Sequence, residues 1–163
     1  STSPYAGQEA RSIKSLSAEE VSGYLAGKGM GLAKAAELNG YAGPAHVLDL
    51  GSAVELSEGQ RARTEALFAS MQEKASELGR ALVEEESKLD RLFAQKRVRP
   101  KSLEETLAII ASLQAKLRAT HLQAHLAQVK ILSPEQNTQY ARLRGYSDDK
   151  KHTGHGHGHG RSH

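Results

Sequence analysis

The chain has no cysteine and no tryptophan, and aromatic residues make up only 4% of its 163 positions. Without cysteine there is no thiol catalysis, no disulfide and no Cys-ligated zinc, although such a chain is indifferent to an oxidising compartment. Long apolar runs are missing too. None approaches the roughly 18 residues of a membrane-crossing helix, so no membrane span is expected. Neither sign of charge dominates: 22 Lys and Arg stand against 19 Asp and Glu, and the formal net charge is +3. That balance, with bases and acids interleaved along the chain, gives no argument for nucleic acid as a partner. No nucleophile motif or oxyanion loop accompanies any histidine, so a hydrolase built on His121 with Glu85 or Glu86 is set aside. The expectation is a non-enzymatic protein with no organic cofactor.

What is present is Ala and Leu among straight-chain charged residues, the composition of long helices. The expected fold class is all-α. Residues 1–16, with an early Ser-Pro and a Gly, read as an N-terminal arm with at most one short helical turn. The first residue is Ser rather than Met, as in a chain from which a leader has been removed. Ser17-Ala18-Glu19-Glu20 places serine three residues before glutamate, a capping box that opens a helix closed by Gly27 and Gly29. A short helix is expected from Met30 to Asn39-Gly40, and another from Pro44, carrying His46.

Leu56-Ser57-Glu58-Gly59-Gln60 is a second capping signature, and no breaker follows for about 40 residues. Leu67, Met71, Ala75, Leu78, Leu82, Leu89 and Phe93 recur at threes and fours, an apolar stripe on a helix ~60 Å long. Val98-Arg99-Pro100 interrupts it. Ser102-Leu103-Glu104-Glu105 reads as a third capping box, after which Leu103, Leu107, Ile110, Leu117 and His121 form a new stripe, with Gln114 on the same face. So short a connection implies an antiparallel hairpin. The return helix runs to Lys130, and Leu132-Ser133-Pro134-Glu135-Gln136 starts a last helix that reaches Leu143. The expectation for 17–146 is thus a long kinked antiparallel helical hairpin with short flanking N-terminal helices and a short C-terminal helix. Residues 147–163, rich in His and Gly, have the composition of a flexible tail.

The motifs LSEGQ at 56–60 and LSPEQ at 132–136, bracketing a helical hairpin, resemble those of the Spy/CpxP-like LTxxQ-motif family of bacterial periplasmic chaperones and metal-responsive proteins. Here serine replaces threonine in both, a change that capping tolerates. The resemblance covers roughly 17–146. It implies a periplasmic protein without enzymatic turnover, a homodimer, and a role in envelope stress or heavy-metal handling. A dimeric helical cradle that holds unfolded proteins without ATP and without metal is the alternative reading.

His121 and His125, four residues apart, share one face of a helix. They are either core histidines, each hydrogen-bonded to a neighbour, or a chelating pair. With a turn near Pro100, numbers of facing residues sum to about 199, which brings His125 near Met71 and Ala75. Met71 as a third ligand would favour Cu(I), whereas His46 would favour Zn, Ni or Cu(II). The resemblance also implies His46, His121 and His125, because the related metal sensors combine a His before the first motif with a His-x-x-x-His/Met pair. Glu85 and Glu86 read as a polar layer, a solvated flank or part of a dimer-interface salt bridge. In the tail, His155, His157 and His159 are a weak, nonspecific metal trap, and Arg161-Ser162-His163 resembles the start of an expression tag. Lys96, Arg97, Arg99 and Lys101 crowd the hairpin tip. They are a solvated tip or a surface for acidic segments of unfolded clients or of a sensor protein.

Overall fold

The computed structural model describes residues 1–146, and these are helical with no strand among them. The helices are α1 (Ala18–Leu25), α2 (Lys34–Glu37), α3 (Pro44–Leu50), α4 (Glu58–Ala94), α5 (Pro100–Ile131) and α6 (Pro134–Leu143), with 3-10 turns at Gln8–Ala10 and Gly51–Val54. The two long helices, α4 and α5, pack together, and the short ones flank them. The expected all-α hairpin is therefore what the chain forms. The tail histidines His155, His157 and His159 lie outside the described residues.

Three helix starts follow directly from local sequence. Ser17, Ser57 and Ser133 each accept the backbone N–H three residues on, while Glu20, Gln60 and Gln136 reach back to the serine N–H. Each reciprocal pair satisfies two N–H groups that a helix start leaves open. The fourth start differs from expectation. Helix α5 begins at Pro100, so Ser102 lies inside its first turn rather than before it; there its hydroxyl accepts from Arg99 N–H and donates to the Arg99 carbonyl. The helix expected from Met30 is also shorter, only Lys34–Glu37. Met30 and Gly31 have φ of 51° and 75°, a left-handed turn that a right-handed helix cannot contain.

The fold divides into two compact units, each built from parts of both long helices. The first comprises Ser1–Gly31 and Met71–His121. Here the N-terminal arm is attached to α4: Asp90 accepts from Lys14 N–H at 2.9 Å, and Ser15 donates to Glu86 at 3.0 Å. Ile13 and Leu16 are buried with it. The C-terminal carbonyls of α1 need donors, and α4 supplies them through Ser76 to Leu25 O and Gln72 to Ala26 O. Gly79 allows this approach, since a Cβ there would collide with the Tyr24 carbonyl.

The second unit comprises Leu32–Ser70 and, of the described residues, those from Leu122 to Tyr146. Its core is Ala42, Val47, Val54, Leu132 and Tyr140, with Leu50, Leu56 and Tyr146 packed against them. The two LSxxQ segments meet in it. Gln60 Nε2 donates to Gln136 Oε1 at 2.7 Å, Gln136 Nε2 donates to Gln60 Oε1 at 2.9 Å, and the same amides bond to the carbonyls of Ile131, Val54 and Glu55. Each glutamine thus caps its own helix and clasps the other motif. A few residues further along, buried Gln128 donates to buried Thr64 at 3.0 Å.

That last bond corrects the expected register. Thr64 with Gln128, and Gln60 with Ile131, have numbers that sum to 192 and 191, so facing residues are shifted by about two helical turns from the expected pairing. The cause lies in the connection: α4 already ends at Ala94, so the turn centres near 97 rather than at Pro100. His125 accordingly does not face Met71 and Ala75. The stripe of α5 is corrected too, because Leu107 and Gln114 are exposed and Thr106 is buried in their place. Phe93, expected in the α4 stripe, is also exposed.

Candidate functional site

The densest cluster of functional side chains lies in the second unit, around Glu37 at the end of α2. Tyr140, on α6, donates its hydroxyl to Glu37 Oε2 at 2.7 Å, and Tyr146 donates to the same oxygen at 3.0 Å. Arg144 Nε lies 3.6 Å from it, with its guanidinium 6.0 Å from the centre of the Tyr146 ring. These three residues converge because α6 ends in a left-handed Gly145, and Tyr146 N–H turns back onto the Ala141 carbonyl. Burial, then the hydrogen bond to Glu37 and the carboxylate's charge, push the Tyr140 phenol well above its ordinary range. Tyr140 is therefore a donor to Glu37 and not a phenolate.

The second carboxylate oxygen is differently placed. Glu37 Oε1 is buried and accepts no hydrogen bond, and His125 Nδ1 lies 3.9 Å away. That nitrogen donates to the Tyr41 carbonyl at 2.7 Å. A carbonyl can only accept, so Nδ1 carries a proton. On its Nε2 side the ring lies against Gly43, where a Cβ would come within 2.6 Å of Nε2. Gly43 is thus the residue that makes room for His125.

The residues expected from sequence fall into two sets, Met71 opposite His121 in the corrected register of the first unit and His46 with His125 in the second. His121 is buried in the α5 stripe of the first unit, and Met71 is half-buried on α4 in the same unit. His46, on α3 in the second unit, is half-exposed with Nδ1 3.7 Å from Asp49. Among the described residues no three His, Asp or Glu side chains converge as metal ligands. Glu86 takes the Ser15 hydroxyl, and Glu85 Oε1 is buried without a hydrogen bond, so these acids face the N-terminal arm and the interior. Lys96, Arg97, Arg99 and Lys101 are all exposed at the tip in the first unit. Close to them in the chain are exposed Phe93, Leu107 and Ile109.

Sequence reasoning missed Glu37, Tyr41, Tyr140, Arg144 and Tyr146. Glu37 and Tyr140 are separated by 103 residues and Glu37 and Tyr146 by 109. No helical period connects them. The one available signal was two tyrosines near the chain end in a protein poor in aromatics. Comparison with protein-family models, with curated proteins and with solved structures finds no match.

Proposed function

We propose that this protein is a non-enzymatic, ATP-independent holding chaperone of the Spy/CpxP type, acting in the periplasm as a homodimer. The observation that carries this reading is the exposed basic tip of Lys96, Arg97, Arg99 and Lys101 with Phe93, Leu107 and Ile109 each exposed, on different faces, in the helix turns leading to and from it. Such a surface offers weak apolar contact and long-range attraction to acidic segments, the combination that retains unfolded chains without fixing a sequence. The mutual clasp of the two LSxxQ glutamines supports the kinship, because it gives the paired motifs a joint structural role.

Aggregation of a chemically denatured client, followed by light scattering, tests the reading. Equimolar protein should suppress it, and Phe93→Ser with Leu107→Ser and Ile109→Ser should lose most of the effect. Failure of the wild type to suppress aggregation at any ratio would remove the chaperone reading.

A metal-responsive role within the same family is the second reading. It is favoured by one observation, a buried carboxylate oxygen without a donor that faces an imidazole.

A further inference from the structure

We propose that Met30 is an oxidant-responsive site in the first unit: conversion of its thioether to the sulfoxide by a peroxide loosens the end of α1 from α4. The inference goes beyond both readings above and rests on neither, because it involves no client and no metal.

Helix α1 ends in a Schellman turn. Gly27 is left-handed at φ 71°, Lys28 N–H donates to the Gly23 carbonyl at 3.0 Å, and Gly27 N–H donates to that of Tyr24 at 3.2 Å. Such a turn commonly carries an apolar contact between the two residues of its longer bond, but here these are lysine and glycine, which cannot make one. Met30 supplies it instead. A Cβ on Gly23 would stand 2.9 Å from the Met30 sulfur and 3.4 Å from its γ- and ε-carbons, so the thioether lies across the bare helix backbone. Glycine is otherwise unfavourable within a helix, and admitting this side chain accounts for it. The contact also helps to hold Met30 at φ 51°, an uncommon conformation for a residue with a long side chain. What the turn secures is the docking of α1, because the carbonyls of Leu25 and Ala26 accept from Ser76 and Gln72 of α4, beside the close approach of Tyr24 to Gly79.

The side chain is reachable. Met30 is 38% exposed and borders a cleft with Ala18, Glu19, Ser22 and Lys28, whereas Met71, the other methionine of the chain, is half-buried on α4. In the reaction a sulfur lone pair attacks one oxygen of hydrogen peroxide, and the S–O bond forms as the O–O bond breaks. The departing hydroxide takes up the proton of the transferred oxygen and leaves as water, so sulfur is oxidised by two electrons and peroxide is reduced. The product is polar at the atom that packed on Gly23. Its new oxygen needs a donor, but the Gly23 N–H is engaged within the helix, and the Gly23 carbonyl, an acceptor bonded to Lys28, repels it. The sulfoxide therefore turns out to water. The end of α1 then keeps its hydrogen bonds to α4 without the apolar contact that closed the turn, and the arm that carries buried Ile13 and Leu16 into α1 loosens with it.

The full chain treated with hydrogen peroxide provides the test, with peptide mass spectrometry to locate the added oxygen. Met30 should be oxidised several-fold faster than Met71. Chains oxidised at Met30 should melt a few degrees lower than untreated ones and bind more of a dye that fluoresces on apolar surface. Met30→Leu, which keeps an apolar side chain on Gly23, should show neither change after peroxide. Oxidation at Met30 with midpoint and dye binding unchanged would overturn the proposal and leave an exposed methionine without consequence. So would a drop of the same size in peroxide-treated Met30→Leu, which would assign the effect to Met71. Reduction of the oxidised wild type by methionine sulfoxide reductase gives an answer that needs no folded variant. Once mass spectrometry shows the Met30 thioether restored, the midpoint should return to that of untreated protein, and a drop that survives this reduction would refute the proposal.

Discussion

At the residue scale, single contacts decide what each group can do. His125 illustrates this, because one hydrogen bond to the Tyr41 carbonyl places a proton on Nδ1 and one glycine, Gly43, sets which edge of the ring is covered. Tyr140 is the clearest titrating case. Its phenol is pushed above the ordinary range in the folded chain, while in the unfolded chain it ionises near ~10. Folding stability is therefore intact below about pH 10 and falls as pH rises further, because the unfolded state then releases a proton that the folded state retains. Denaturant titrations from pH 8 to 11 should show a steeper alkaline loss for the wild type than for Tyr140→Phe. Equal slopes would mean that the phenol is not held protonated by burial and Glu37.

At the element scale, local capping and distant clasping act through the same side chains. Ser57→Ala and Ser133→Ala should each destabilise the chain by about 0.5 to 2 kcal/mol, as loss of an N-cap oxygen does. Gln60 and Gln136 should be coupled as well. In a double-mutant cycle with alanine, the two losses should depart from additivity by about 0.5 to 3 kcal/mol, since each amide satisfies the other. Strict additivity in urea unfolding would show that the clasp contributes nothing in solution. The third expected box, at Ser102, is instructive by contrast. Its sequence matched the pattern, yet Pro100 is a favourable first helical residue with φ already set, so the helix starts three residues earlier than a Ser102 cap would place it and the serine serves Arg99 from inside.

At the scale of the whole molecule, the large apolar side chains left in water need an explanation. Phe93, Leu107, Ile109 and Leu126 are each more than 40% exposed, on helices whose other faces are covered. Single exposed apolar residues are ordinary, but several on the two long helices suit a surface that meets other chains. A homodimer is expected on that account. Light scattering on eluted protein at micromolar concentration should return twice the chain mass, and a mass of one chain throughout would count against both the dimer and a cradle for clients. No helix of the described residues is long and apolar enough to cross a membrane.

The sequence by itself determined the helical class, the end of α5 and both bounds of α6 to within a residue, the existence of a break between the long helices and the starts at Ser17, Ser57 and Ser133. These are decided within three or four residues, where a side-chain oxygen meets a backbone N–H regardless of the rest of the chain. Only the tertiary structure decided the register of α5 on α4, the exposure of Leu107 and Phe93, the docking of the arm at Asp90 and Glu86, and the cluster around Glu37. A shift of two helical turns leaves a helical stripe almost equally apolar, so periodicity cannot select among registers. The choice falls instead to paired polar groups such as Thr64 with Gln128, for which burial without a partner is costly. The Glu37 cluster joins α2 to α6 and the residues just after it, and Tyr41 to His125 across 84 residues, so its chemistry exists only once the fold has brought those segments together.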